Sequence, residues 1–272
     1  MNIYYLGPKG TYSEKASEIA KKFIENSELI PVSTISKIVE IVNNNEKAYA
    51  VLPYENSIEG IVRQTIDNIY PTDVKIQAEI DIKIEHCFIS KTNDLKKIRK
   101  IYSHPQALAQ CSDFITKNFD EKIELIVANS TSDAANIILN GDETYSAIAS
   151  EGIAHKLNLN IVCKNIGNIK ENKTRFILIS KNKKEFAKND KTTIVFNTKN
   201  EPGALLKILE IFNKYNLNLT YLESRPSKEI FGEYNFFADI DKPFDVIKSA
   251  MNEIREKCNF YKLLGSYPVL NH

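Results

Sequence analysis

At 272 residues with 43% hydrophobic content, the chain is long enough for one large and one small domain, or for three small lobes, rather than for a single core. Its 36 Lys and Arg against 35 Asp and Glu, a formal charge of +1, leave no excess of either sign for nucleic acid or an acidic membrane, so a small molecule is the default ligand. The opening MNIYYLGPKG lacks the charged and apolar regions of a signal peptide, no apolar run nears the roughly 18 residues that span a bilayer, and a cytoplasmic location is expected.

IYYL (3–6) predicts the first strand, and Ala16, Ile19, Ala20 and Phe23 then recur at the spacing of one apolar helical face. AYAVLP (48–53) predicts a further strand. Between 76 and 88 the pattern changes: Ile76, Ala78, Ile80, Ile82, Ile84, His86 and Phe88 alternate with Gln77, Glu79, Asp81, Lys83 and Glu85, which predicts a long strand with one buried face. Such a strand passes from one α/β lobe to another and leaves a cleft at the crossing. His86, on the apolar side, reads as a core histidine. RKIYS (99–103), a helical face of Leu108, Cys111, Ile115 and Phe119, and then ELIVAN (124–129) and SAIAS (146–150) continue the alternation of strand and helix.

The charged segment KNKKEFAKNDK (181–191) reads as a domain linker. Beyond it come TTIVFN (192–197), a helix from near Pro202 that buries Leu205, Ile208, Leu209 and Phe212, then LNLTYLES (217–224) and YNFFADID (234–241). A helix from about Pro243 with Ile247, Ala250, Met251, Ile254 and Cys258 on one face and a strand at YKLLGS (261–266) complete a βαββαβ order, the ferredoxin-like plan. Pro202 suits a first helical turn, where its missing N–H would have been unpaired.

Four cysteines (Cys87, Cys111, Cys163, Cys258) include no CxxC pair, and four histidines (His86, His104, His155, His272) show no metal-ligand spacing. G-x-S-x-G, HExxH, G-x-x-x-x-G-K-[ST] and G-x-G-x-x-G are all missing, so no metal, cofactor or covalent nucleophile is expected. What repeats instead is a set of hydroxyls and amides where strands give way to helices: Gly10-Thr11-Tyr12-Ser13, Glu55-Asn56-Ser57, Ser103-His104-Pro105-Gln106, Ser130-Thr131-Ser132 and Ser150-Glu151. Any one of them serves as a helix cap. Five at the carboxyl edge of an open α/β sheet, beside helix N–H groups, favour an anionic ligand such as a carboxylated metabolite.

GPKGTYSEKA (7–16), PYENSIEGIVRQTID (53–67), SHPQALAQC (103–111), STSDAA (130–135), AIASE (147–151) and NKTRFILI (172–179) follow one another in this order, and NEPGALLKIL (200–209) and ESRP (223–226) come after them. On these segments the chain resembles the monofunctional prephenate dehydratases along nearly its whole length. The resemblance implies a catalytic domain over 1–181, two lobes around a cleft akin to type II periplasmic binding proteins, and an ACT regulatory domain over 192–272. It also implies conversion of prephenate to phenylpyruvate with loss of carbon dioxide and water, no cofactor, inhibition by L-phenylalanine, and a homodimer or homotetramer formed through the ACT domains. The chorismate mutase bundle fused to some members is not expected.

By the same resemblance Thr174 donates to the leaving hydroxyl, while Asn56, Ser103 and Gln110 line the reacting centre. Thr11, Ser57, Thr131 and Ser132 are candidates for carboxylate contacts, and Arg175 either pairs with a substrate carboxylate or forms a structural ion pair that orients Thr174. Phenylalanine sensing falls to Gly203, Ala204, Leu205, Glu223, Ser224, Arg225 and Pro226, with Asn218 reaching in from a second copy. Some members carry an acidic residue before the Ser-Thr-Ser segment where this chain has Asn129, which leaves Glu55 and Glu151 as candidates for an acidic relay. Arogenate dehydratase and a non-catalytic amino-acid-sensing protein on the same fold are the competing readings.

Overall fold

Three sheets organise the residues described by the computed structural model, 1–182, 186, 188–227 and 233–270. The expected linker (181–191) lies partly, and His272 wholly, outside the described residues. The chain opens with β1 (Asn2–Leu6), α1 (Tyr12–Lys21), β2 (Glu28–Val32), α2 (Ile35–Asn44), β3 (Ala48–Asn56), β4 (Gly60–Ile61) and α3 (Arg63–Ile69). β1 lies parallel between β2 and β3, with helices as the crossovers that parallel pairing requires. Thr11 and Thr34 start α1 and α2, each accepting a backbone N–H from three residues on.

The strand expected over 76–88 is two strands in two sheets. β5 (Lys75–Lys83) belongs to the first sheet and β6 (Cys87–Ser90) to the second, and residues 84–86 cross between them. The expectation of one buried face also fails: Gln77 and Glu79 are buried like Ile76 and Ile80, because a register irregularity between Ile76 and Ala78 breaks the alternation, Ile76 packs against the C-terminal domain and Glu79 meets Lys191 of that domain. The second lobe adds β7 (Lys100–Ser103), α4 (Pro105–Gln110), α5 (Ser112–Asn118), β8 (Glu124–Val127), α6 (Thr131–Asn140), β9 (Tyr145–Ala149), α7 (Glu151–Lys156) and β10 (Asn160–Cys163). Its strands run in the order β10-β6-β9-β7-β8. The helix read through Leu108 and Phe119 breaks at Cys111, whose φ of −119° and ψ of 16° are not helical, into α4 and α5. Residues 164–172 then return to the first lobe, where β11 (Lys173–Ser180) runs antiparallel between β3 and β5.

The last part of the chain is β12 (Lys191–Asn197), α8 (Ala204–Lys214), β13 (Leu219–Pro226), β14 (Tyr234–Ile240), α9 (Phe244–Lys257), β15 (Phe260–Tyr267) and β16 (Val269–Leu270). Its antiparallel sheet has the order β13-β14-β12-β15, the ferredoxin-like arrangement. Pro202 stands before the helix, not in its first turn, since Gly203 caps α8 with a φ of +79°. One face of this sheet packs on α8 and α9, where Ile194 and Phe196 meet Ile208, Phe212, Ile247 and Met251. The other face packs on the first lobe, and Val195, Phe237, Leu264 and Tyr267 share a core with Ile76, Ile177 and Ile179. The approach is close: a Cβ at Gly265 would stand 2.3 Å from the Ile76 carbonyl oxygen. β16 then pairs parallel with β5, so the first sheet reads β16-β5-β11-β3-β1-β2, with β4 on β3. Among the described residues no helix is long and apolar enough to cross a membrane.

Candidate active site

A cleft of about 470 Å³ opens between the two lobes, at the carboxyl ends of β1, β3 and β7. The first lobe contributes Thr11, Asn56 and Thr174, the second Gln110 and Thr131, and the two crossings His86 and Asn172. Thr11 and Ser130 cap α1 and α6, so both helix N-termini bring residues to the cleft, where their backbone dipoles favour an anion. Among the described residues, none that lines the cleft is Lys or Arg. Leu6, Ile61, Val62 and Ile84 supply an apolar wall.

Asn56 ends β3 opposite Thr174 on β11. The two hydrogens of its Nδ2 are shared among Thr174 Oγ1 (2.9 Å), Asn172 Oδ1 (2.8 Å) and, at the longest distance, the Lys173 carbonyl (3.1 Å). Its Oδ1 accepts the backbone N–H groups of Ile58 and Glu59 at 3.0 and 3.1 Å. Both ends of this amide are therefore held, and the Thr174 oxygen serves as an acceptor, leaving its own proton for a ligand. Thr174 is 9% exposed. Gln110, at the end of α4, accepts at Oε1 from Asn172 Nδ2 (3.2 Å) and pairs there with His86 Nε2 (3.0 Å), while its Nε2 donates to Glu59 Oε1 (3.3 Å). Burial pushes the His86 pKa down, against the opposing effect of the Gln110 bond; with Gln110 Oε1 as the partner, the ring nitrogen that faces it, Nε2, is the one placed to donate.

Several residues expected at the site lie elsewhere. Ser103 is fully buried and donates to the Ile148 carbonyl at 2.7 Å, tying β7 to β9. Ser57 Oγ accepts the Lys173 N–H at 3.0 Å on the exposed side of the turn. Ser132 is buried behind Thr131, where a Cβ on Gly10 would come within 3.4 Å of its Oγ. Arg175 follows Thr174 on a strand, so it faces the opposite way. It bonds Glu55 at 3.0 Å and Asp239, lies 3.2 Å from Glu79 and covers the Tyr54 ring. Burial opposes its charge, and the carboxylates of Asp239 and Glu79 overcome that and raise its pKa. Of the two readings for Arg175, the structural ion pair is the observed one. Glu55 is thereby turned from the cleft, and Glu151 pairs with Lys164 at 2.6 Å outside it. The acidic side chain at the cleft is Glu59. Sequence reasoning missed Glu59, His86 and Asn172 there; the signal for Asn172 was its place two residues before Thr174, on the same side of an extended chain.

A second cavity, about 360 Å³, lies in the C-terminal domain against Gly203, Ala204 and Leu205, with Glu201, Glu233 and Phe236. Glu223, Ser224, Arg225 and Pro226 do not line it. They run along β13, the edge strand of that sheet, where Arg225 donates to both Asp67 oxygens at 2.9 and 3.1 Å and Glu223 accepts from the Tyr221 hydroxyl at 2.7 Å. Asn218 is exposed just before β13. Within one chain these residues are therefore neighbours of the cavity through β14, whose Tyr234 and Phe236 pair with Pro226 and Ser224, without lining it themselves.

The prephenate dehydratase family model matches residues 3–184, and the ACT domain model matches residues 192–258. A prephenate dehydratase of Methanocaldococcus jannaschii is 41% identical, over 99% of this chain and 98% of its own. The crystal structure of a prephenate dehydratase in complex with L-Phe from Arthrobacter aurescens is 30% identical with a TM-score of 0.86, covering 98% of this chain and 90% of that one. A structure described as GqqA, a novel type of quorum quenching acylases, is 26% identical with a TM-score of 0.86, covering 99% and 98%. The cleft with its TRF segment and the βαββαβ sheet packed behind it fall within the two matched regions, and the chain belongs to the prephenate dehydratase family, with an ACT domain as its second part.

Proposed function

We propose that this chain is a cytoplasmic prephenate dehydratase with a catalytic domain over 1–181 and a regulatory domain over 192–272, the last strand of which is lent to the catalytic sheet. Prephenate carries two carboxylates and a ring hydroxyl. In the reaction the C–C bond to the ring carboxylate breaks and releases carbon dioxide, its electron pair enters the ring, and the opposite C–O bond breaks with departure of hydroxide. The hydroxide takes a proton and leaves as water, and the aromatic product supplies the driving force.

The observation that carries this reading is the Thr174 hydroxyl, held as an acceptor by Asn56 so that its proton points to a ligand. A threonine hydroxyl is a poor acid, so Thr174 passes on a proton from bound water as the hydroxide leaves, and that water regains a proton from solvent, which supplies the net proton the reaction consumes. Gln110 Nε2 is a second donor, the N-termini of α1 and α6 hold carboxylate charge, and the apolar wall keeps the reacting carboxylate poorly solvated. Thr174 is not the activated nucleophile an acylase reading would need, since the partner of its Oγ1 is an amide donor and not a base. Incubation with prephenate and, separately, with arogenate tests the assignment. Phenylpyruvate from prephenate is expected; turnover of arogenate alone makes the protein an arogenate dehydratase, and turnover of neither sinks both readings.

L-phenylalanine binds, on this reading, between two ACT domains of a homodimer or homotetramer. The Gly203–Leu205 cavity of one copy meets the Glu223–Pro226 edge and Asn218 of the other, and the ligand inhibits by its higher affinity for a state with a less competent cleft.

A further inference from the structure

Two stretches of backbone join the lobes, 84–86 and 164–172, and each places one buried polar side chain at the cleft: His86, 7% exposed, and Asn172, 2% exposed. The crossings are bonded to each other, Ile84 N–H to the Asn172 carbonyl at 2.8 Å and Ile166 N–H to the His86 carbonyl at 2.9 Å. Both side chains converge on Gln110 Oε1. We infer that His86 and Asn172 are positioning residues of the dehydratase site, which hold the Gln110 carboxamide with its N–H toward the substrate and Asn56 against Thr174. The inference rests on the dehydratase reading and deepens it.

The argument follows the protons. A carboxamide oxygen has two lone pairs, and those of Gln110 are taken by His86 Nε2–H and Asn172 Nδ2–H. Turning the amide over would set an NH₂ group against two donors, losing two hydrogen bonds and leaving buried donors unpaired. Gln110 therefore has one orientation, and its only other bond, to exposed Glu59 at 3.3 Å, is long enough to be exchanged for a substrate oxygen. His86 Nδ1 is buried without a hydrogen-bond partner among the described residues. Moving the ring proton there would bury an unpaired N–H and leave two lone pairs facing each other, which fixes the tautomer. Asn172 is oriented in turn, since its Oδ1 accepts from Asn56 and its Nδ2 donates to Gln110. The direction of every bond from His86 through Gln110, Asn172 and Asn56 to Thr174 is thus determined, and the row ends on the Thr174 proton.

Asn172→Asp tests this with an isosteric change. The new carboxylate faces Gln110 Oε1, so Gln110 reverses and offers an acceptor where the substrate needs a donor. A fall in kcat on the order of 10²-fold is expected, the usual size for one lost preorganised donor, with phenylalanine binding close to wild type. His86→Leu is expected to lower kcat at least about tenfold, and His86→Gln, whose Nε2 can supply the same donor, to recover most of it. Wild-type kcat and KM in both Asn172→Asp and His86→Leu would overturn the inference, as would equal losses in His86→Leu and His86→Gln, which mark a packing role. If Asn172→Asp fails to fold, the His86 pair decides. A wild type inert toward prephenate would instead remove the dehydratase reading itself, and the inference with it.

Discussion

Thr174 shows how much one side chain depends on its neighbours. On the proposed reading its hydroxyl is useful because Asn56 donates to it and leaves the proton free. Thr174→Ala should lower kcat by roughly 10²- to 10³-fold with circular dichroism unchanged, whereas Thr174→Ser should keep more activity because the oxygen and its donor remain. Near-normal kcat in the alanine variant would refute the role. The TRF segment made Thr174 legible in the sequence, and the ENS and PQALAQ segments did the same for Asn56 and Gln110. Asn172 and His86 were not legible, because their partners are far away in the chain and a buried histidine on an apolar stripe looks the same whether it fills a core or walls a cleft. Ser103 failed for the converse reason: its place at a strand end suited ligand contact, and only the neighbouring β9 shows that its hydroxyl is spent on a carbonyl.

At the level of elements, β11 faces two ways at once. Thr174 looks into the cleft, and Arg175, one residue on, enters the interface with the ACT sheet among Glu55, Glu79 and Asp239. Lys191 on β12 adds a second cation to Glu79. Burial raises the Glu79 pKa while Arg175 and Lys191 pull it back, so this carboxylate depends on its cations. Arg175→Met should cost about 3–5 kcal/mol of stability, because it strands buried carboxylates and leaves them unpaired. Urea denaturation measures the loss, and a variant as stable as wild type would show that the cluster contributes little. The alternation from Ile76 to Phe88 marked β5 correctly as a strand and as the way between lobes. It misjudged Glu79, since a residue that faces a second domain resembles one that faces water when the contact is an ion pair, and Gln77, whose amide is spent on the Lys75 and Ser180 carbonyls.

For the whole molecule, the ACT sheet shares its core with the catalytic sheet, so a ligand that shifts one sheet acts on a surface continuous with the other. On the proposed reading Gly203, which lines the cavity of the ACT domain, is where regulation can be separated from chemistry. Its φ of +79° disfavours a β-branched residue, and nothing lies within 4 Å of the position a Cβ would take, so a side chain there would reach into the cavity instead of the core. Gly203→Val should weaken inhibition by phenylalanine and leave the uninhibited rate largely intact. Titration of activity with phenylalanine checks this, and unchanged inhibition would argue against the site. The βαββαβ order was plain in the sequence because each helix has one apolar stripe. That Glu223–Pro226 stand one strand away from the Gly203–Leu205 cavity and do not line it was not, since periodicity names elements without saying which side chains meet.

The return of β16 to β5 also has a meaning during synthesis. As the chain leaves the ribosome, β1, β2, β3, β5 and β11 are all available once residue 180 has emerged, but the outer edge of β5 waits for Val269 and Leu270. Through all that time an open row of backbone donors and acceptors stands ready to pair with another nascent chain. Val269 and Leu270 therefore act as a stopper on Glu79 and Ile80, and a message cut short after Tyr267 would release a protein with both domains present and that edge still open to its neighbours.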